Sequence, residues 1–210
     1  MRPTKVSVIE RTAAFRGYFH VDRVRLRHEL YSGATGPEIV REVFERGHAA
    51  AVLLYDADAD VVVLIEQFRP GPWAAGEEPW MLEIVAGIID AGETVEAVAR
   101  RECQEECGLI PDELVPITRV FVSPGVMTET VALYCGRVDS RAAGGVHGLA
   151  EEGEDIRVVP MAAEAFIDLA QSGALTNATA ALAGYWFALN RASLRARWRT
   201  GDVSPGSSAA

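Results

Sequence analysis

Residues 87–109 read GIIDAGETVEAVARRECQEECGL. Thr94 to Cys107 predicts a helix, ended by Gly108, a residue suited to the left-handed position just past a helix. On a wheel at about 100° per residue, Val95, Val98, Ala99, Glu102, Glu105 and Glu106 share one arc, with Glu96, Arg100 and Gln104 opposite. The acids therefore continue the apolar stripe. A helix turns that stripe toward the core, so three carboxylates are aimed inward at its C-terminal end.

Two physical terms oppose that placement. Glu102 and Glu106 are a like-charge pair four residues apart, which costs about 0.2–0.5 kcal/mol even in water. Negative charge at a helix C-terminus costs roughly 0.3–1 kcal/mol more, and burial enlarges both. A divalent cation reverses the sign. Hard oxygen donors on one face, without a His or Cys ligand pattern, suit Mg²⁺ or Mn²⁺ rather than zinc. The competing reading of the same residues is a solvated acidic face flanked by Arg100 and Arg101. Cys103 and Cys107 share the four-residue spacing but lack a second ligand pair, and read as small apolar fillers on the helix flank.

Outward from the helix, Trp80 to Ala86 predicts one strand and Gly87 to Gly92 a loop. Ala49 to Leu54 and Val61 to Phe68 predict a hairpin around Asp56-Ala57-Asp58-Ala59-Asp60. That turn imitates the start of a calcium loop, yet it lacks the glycine at position six and the glutamate at position twelve, so it reads as a solvated turn. Val6 to Arg27 predicts a small strand meander. Further strands are expected near Ile117 to Val122, Val131 to Val138 and Ile156 to Val159, and helices over Met161 to Gln171 and Asn177 to Ala196. The Ser, Gly and Ala-rich end reads as a flexible tail. Strands and helices interleave irregularly with hairpin connections, which favours a mixed α/β arrangement over a doubly wound parallel sheet.

The 210 residues are long enough for one sizeable core without staples. Twenty basic and thirty acidic residues give a formal charge of −10, which repels nucleic-acid phosphate and anionic membranes at long range. The expectation is no nucleic-acid and no membrane partner. Three cysteines, Cys103, Cys107 and Cys135, make no disulfide framework and fit a reducing compartment. With no apolar stretch approaching the roughly 18 residues of a membrane span, a soluble cytoplasmic protein is expected.

Gly87, five residues, Glu93, seven residues, then Arg101-Glu102-Cys103-Gln104-Glu105-Glu106-Cys107-Gly108-Leu109 resembles the Nudix box at every fixed position. The likeness extends beyond it. Phe44 to Ala50, Ile65-Glu66-Gln67-Phe68-Arg69, Leu82 to Gly87, Ser123-Pro124-Gly125 and Glu151 to Ile156 resemble the ADP-ribose pyrophosphatase branch of that family, with Pro124 fifteen residues after Leu109 as the branch marker. The resemblance implies an α/β Nudix fold, an α/β/α sandwich around a mixed sheet, with a small N-terminal β-sheet unit that exchanges across a homodimer. It divides the chain into an N-terminal β unit (1–45), a hydrolase domain (46–198) and a tail (199–210).

The implied activity is Mg²⁺-dependent hydrolysis of ADP-ribose to AMP and ribose 5-phosphate, with two or three ions per site. A pyrophosphate is repelled by glutamates unless cations intervene. Carried over by position, metal ligation falls to the Ala86 carbonyl, Glu102, Glu106 and Glu154, with Glu105 assisting. The general base falls on Glu152, with Glu151 or a metal-bound hydroxide as alternatives. Arg69 falls on phosphate and Tyr18 and Phe19 on adenine, with Arg41 and Glu42 nearby. Ile88, Ser123, Gly125 and Glu129 fall on the substrate side, while Glu93 and Arg101 orient the box. Two departures stand out: Cys103 fills an apolar box position, and Val126-Met127 follows Gly125 where a glycine and a small polar residue are usual. The second bears on the sugar preference. Another nucleoside diphosphate sugar or dinucleotide, such as a GDP-sugar, NADH or FAD, is the alternative substrate, and a non-catalytic ADP-ribose sensor the alternative class.

Overall fold

The computed structural model describes residues 2–199, the side chain of Glu152 excepted. The expected tail lies outside the described residues from position 200 onward. The chain divides into two compact units, residues 2–48 with Val120–Thr130, and Ala49–Arg119 with residues 131–199.

The first unit is an antiparallel meander of β1 (Val6–Arg16), β2 (His20–His28) and β3 (Ile39–Glu45). Every residue of β1 is exposed, including Val6, Val8, Ile9 and Phe15, so the strand is held by its ladder to β2 rather than by packing. The 120–130 segment joins this unit along β3, where the Phe44 N–H donates to the Val126 carbonyl (2.8 Å) and the Thr128 N–H to the Phe44 carbonyl (3.2 Å).

The second unit is built on β4 (Ala49–Asp56), β5 (Val61–Phe68), β6 (Trp80–Glu83), β7 (Val85–Ile88), β8 (Glu113–Phe121, its last two residues counted with the first unit), β9 (Thr130–Arg137, Thr130 likewise), β10 (Val146–His147) and β11 (Ile156–Ala162). The sheet order is β10-β11-β5-β4-β9-β8; β4 and β9 run parallel and the other assigned pairs antiparallel, so the sheet is mixed. All eight residues of β4 are buried, as expected for a strand covered on both faces. On one face, α2 (Val95–Cys107) packs Val98, Ala99, Cys103 and Cys107 onto Ala50, Val52, Leu54, Ile65 and Val85. On the other, α3 (Ala163–Ser172) and α4 (Ala178–Trp198) bring Phe166, Phe187 and Trp198 to the buried Tyr55 layer. The α/β/α sandwich is present.

Several local expectations change. Trp80 to Ala86 is two strands, because β4 and β5 pair only around Leu54 and Val63 and then diverge; β6 follows β5, the chain crosses at Ile84, and β7 follows β4. Gly87 and Ile88 accordingly belong to β7 rather than to a loop. Met161 and Ala162 finish β11, and the helix begins at Ala163. A short helix, α1 (Pro70–Ala75), escaped the reading because its composition, Pro-Gly-Pro-Trp-Ala-Ala, signals a turn. Cys103 and Cys107 are core residues rather than flank fillers, at 0% and 1% exposure. The aspartate turn is solvated only at its tip, where Asp58 and Ala59 are exposed: Asp56 is buried and accepts N–H groups from Asp58, Ala59 and Ser140, while Asp60 pairs with Arg191 and Arg195.

Candidate active site

Helix α2 is fixed at both ends, which sets where its acids point. Thr94 Oγ1 accepts the Ala97 N–H (3.2 Å) at the N-terminus. At the other end Gly108 sits at φ 69°, and the N–H groups of Gly108 and Leu109 return to the carbonyls of Gln104 and Cys103.

Glu106 follows Cys103 into the interior and is 3% exposed. Its Oε2 accepts the backbone N–H of Ala86 (3.1 Å). Ala86 stands opposite Ala51 of β4, and the N–H and C=O of one strand residue face the same edge. The Ala86 carbonyl therefore points away from β4, toward the same side as Glu106. Burial, with the charges of Glu102 and Glu154 added, pushes the Glu106 carboxyl up to about 8 despite the Ala86 hydrogen bond.

Glu102 lies flat on β7. A Cβ on Gly87 would fall 1.8 Å from its Oε1, so only glycine admits this approach. Burial again raises its pKa, joined by the charges of Glu105 and Glu154, while Arg101 opposes them. Arg101 is the clasp of the helix. Its Nε pairs with Glu93 (3.2 Å), its Nη1 with Glu102 (2.8 Å) and Glu105 (2.9 Å), and its Nη2 reaches the Ile88 carbonyl (3.5 Å). Glu93 in turn accepts the Asp90 N–H (3.0 Å), which ties the turn after β7 to α2.

Glu154 precedes β11. Its Oε2 accepts the Leu149 N–H (2.9 Å), and the Gly148 N–H donates to the Glu105 carbonyl (3.3 Å), so this loop is fastened to the end of α2. Glu152 ends the 3₁₀ turn Ala150–Glu152; its side chain lies outside the described residues. Glu151 is exposed. Arg69, just past β5, pairs with Glu83 (2.7 Å) and feels the charges of Glu106 and Glu154.

The second unit thus brings together Glu102, Glu105, Glu106, Glu154, Ala86, Ile88, Glu93, Arg101 and Arg69. As placed, and among the described residues, no three His, Cys, Asp or Glu side chains form a closed metal cage, because Glu102, Glu106 and Glu154 each hold a protein donor. Their chemistry nonetheless fits a hard divalent cation: three carboxylates, two of which (Glu102 and Glu106) burial holds partly dry with raised pKa, beside a carbonyl, over a glycine that leaves room for Glu102.

The first unit holds the other expected residues. Tyr18 is 89% exposed and meets Phe19 edge-on at 4.6 Å; Phe19 meets Phe44 at 5.3 Å and lies under the Arg46 guanidinium at 5.6 Å. Glu129 is buried and paired to Arg46 (3.0 Å). Arg41 and Glu42 are exposed on β3. Ser123 turns its carbonyl to the N–H groups of Val126 and Met127, and Gly125 is exposed.

The family model described as NUDIX domain matches residues 45–203. The chain belongs to the Nudix family. It is 44% identical over 193 residues to the ADP-ribose pyrophosphatase of Escherichia coli strain K12, covering 92% of each chain. It is 37% identical over 135 residues to a GDP-mannose pyrophosphatase of Salmonella arizonae, covering 63% of this chain and 69% of the relative. A solved ADP compounds hydrolase shares the fold at a TM-score of 0.68 and 21% identity, over 90% of this chain and 98% of that one. Two buried polar residues near Arg69 in this Nudix chain went unread in the sequence: Glu83, which pairs with it, and Gln67, two residues before it on β5. The available signal was a lone acid in the otherwise apolar run Trp80 to Ala86.

Proposed function

We propose that this chain hydrolyses the pyrophosphate of ADP-ribose to AMP and ribose 5-phosphate. The observation that carries the reading is the 44% identity, over 92% of both chains, to an ADP-ribose pyrophosphatase, together with a box complete at every fixed position in this chain. Glu102, Glu106, Glu154 and the Ala86 carbonyl would hold Mg²⁺ or Mn²⁺, two or three ions per site, with Glu105 assisting. Such ions neutralise pyrophosphate oxygens and make water a stronger nucleophile. Glu152 takes the proton of the attacking water as a P–O bond of the anhydride breaks. Arg69 binds phosphate with its planar donors, with Ile88 on the substrate side. Glu93 and Arg101 hold the box in shape. Tyr18 and Phe19 offer faces for adenine, Arg41 and Glu42 lie on the same unit, and Ser123, Gly125 and Glu129 serve the ribose side.

The same reading makes the protein a homodimer in which the N-terminal β units exchange. The wholly exposed β1, with Val6, Val8, Ile9 and Phe15 in water, supports a partner over that strand. Sedimentation giving only a 22.7 kDa species at low micromolar concentration would refute it. No helix among the described residues is long and apolar enough to cross a membrane, and the three cysteines are free and buried, which supports a cytoplasmic setting.

AMP release from ADP-ribose in the presence of Mg²⁺ tests the function, and its absence overturns it. The GDP-mannose pyrophosphatase match favours one second reading, a GDP-sugar substrate, over a shorter part of the chain. Competition between ADP-ribose and GDP-mannose at equal concentration separates the two.

A further inference from the structure

The Arg69–Glu83 pair has a geometry that phosphate binding by Arg69 alone leaves unexplained. The β5–β6 register sets Ile65 opposite Glu83 and Phe68 opposite Trp80, so Arg69 folds back along β5, past Gln67, to reach Glu83. It arrives side-on. Nε lies 3.1 and 3.2 Å from the two carboxylate oxygens and Nη2 lies 2.7 Å from Oε2. An arginine has five N–H groups, and this grip occupies Nε and one on Nη2. Both hydrogens of Nη1 and the second on Nη2 have no protein acceptor among the described residues.

Burial separates the partners. Glu83 is 4% exposed, whereas the Arg69 side chain is 40% exposed. The carboxylate is sunk in the sheet while the guanidinium opens outward. Continuing the pairing of Glu66 with Arg157 brings Arg69 level with Glu154 across β11. Gln67, on the same face of β5 and 6% exposed, has a buried Nε2 with no acceptor. A buried donor is thus idle on the strand face that also carries Glu83, and the carboxylate is committed to Arg69.

We propose that Glu83 is a positioning residue for substrate binding: it clamps the Nε and Nη2 edge of Arg69 and turns the Nη1 edge toward the pyrophosphate. This rests on the pyrophosphatase reading, since the anion it serves is a diphosphate. A guanidinium presents its donors in one plane, so fixing one edge fixes the direction of the other. A neutral glutamine at position 83 keeps the shape of the side chain but offers one acceptor in place of two charged ones, and Arg69 loses its set direction.

The test is a double-mutant cycle read on binding and on turnover. ADP affinity, which needs no hydrolysis, is measured by calorimetry in the presence of Mg²⁺ for the wild type, Glu83→Gln, Arg69→Ala and the double variant; KM and kcat for ADP-ribose are measured beside it. Glu83→Gln is expected to weaken ADP binding about tenfold and to raise KM more than it lowers kcat, with little change in melting temperature. In the Arg69→Ala background it should cost less than twofold. Glu83→Asp, which keeps the charge but draws it back, should fall between wild type and Glu83→Gln, and it replaces Glu83→Gln in the cycle if that variant does not fold. An equal loss with and without Arg69, or unchanged ADP affinity, overturns the proposal. A wild type that binds ADP through this pair but releases no AMP from ADP-ribose would instead overturn the pyrophosphatase reading and leave the positioning role standing.

Discussion

The backbone of Gly87 and the carboxylate of Glu102 occupy space that a single methyl group would take: a Cβ at residue 87 would stand 1.8 Å from Glu102 Oε1 and 1.9 Å from its Cδ. The first glycine of the box and its second glutamate are therefore one device, a strand stripped of its side chain so that an acid can lie against it.

Gly87→Ala should expel Glu102 while leaving Glu106 on the Ala86 N–H. Turnover of ADP-ribose is expected to fall on the order of 100-fold, with Mg²⁺ required at higher concentration, and stability to drop by about 1–3 kcal/mol from overpacking. A Mg²⁺ titration of activity with a parallel thermal melt checks both. Wild-type Mg²⁺ dependence would show that Glu102 does not need this place.

The pH dependence of the metal-free protein follows from Glu106. Its carboxyl stands at about 8 in the fold against an ordinary 4.5. Below about 4.5 both states are protonated and the contribution is fully present. Between the two values the folded state alone keeps the proton, so stability falls as pH rises and the contribution is lost above 8, by at most about 5 kcal/mol in all. In chelator the melting temperature should be lower at pH 8.5 than at pH 6.0. Mg²⁺ should raise it more at pH 8.5, where no proton competes. Glu106→Gln should flatten the profile in chelator and remove most turnover; an unchanged profile would assign the slope to another group.

Much of this site was legible because the box compresses it into one helix and the turn before it. Inward acids on α2, Gly108 as terminator and the β4–β5 hairpin are all local patterns. What the wheel misjudged was the width of the buried face: burial runs from Val98 through Ala99 and Glu106 to Cys103 and Cys107, and Glu102 and Glu105 are only partly buried. Periodicity fixes relative angles, while the core direction depends on which side chains β7 and β11 leave room for. The split of Trp80 to Ala86 was illegible for a similar reason, since it follows from the divergence of β4 from β5. Glu83 was hidden because its partner Arg69 lies fourteen residues away, on another strand's end.

Thr94→Ala separates folding from chemistry. The hydroxyl caps α2 through the Ala97 N–H and touches none of the acids. A loss of about 1 kcal/mol in unfolding free energy is expected, with kcat and Mg²⁺ dependence within a factor of two of wild type. A large loss of turnover in a folded variant would mean that the helix start, and not only its C-terminal half, sets the carboxylate positions.

Arg101→Lys asks whether the clasp needs a fork. The guanidinium bonds Glu93 through Nε, Glu102 and Glu105 through Nη1, and the Ile88 carbonyl through Nη2, joining the turn after β7 to the acid-bearing face of α2. An ammonium keeps the charge but is a point on a flexible stem, able to hold one or two of these partners at a time. Losing the reach to Glu93 should free the turn of Asp90 to Glu93, with only a small loss of global stability because the pair is solvent-screened. Turnover should fall about 10- to 100-fold, through kcat and Mg²⁺ dependence rather than KM, because the acids proposed to hold metal lose their set positions while substrate contacts remain. Hydrogen exchange at the Asp90 amide, which donates to Glu93, reads the structural half directly. Faster exchange with reduced kcat is the expected pair; a raised KM with unchanged exchange would mean that Arg101 touches substrate itself.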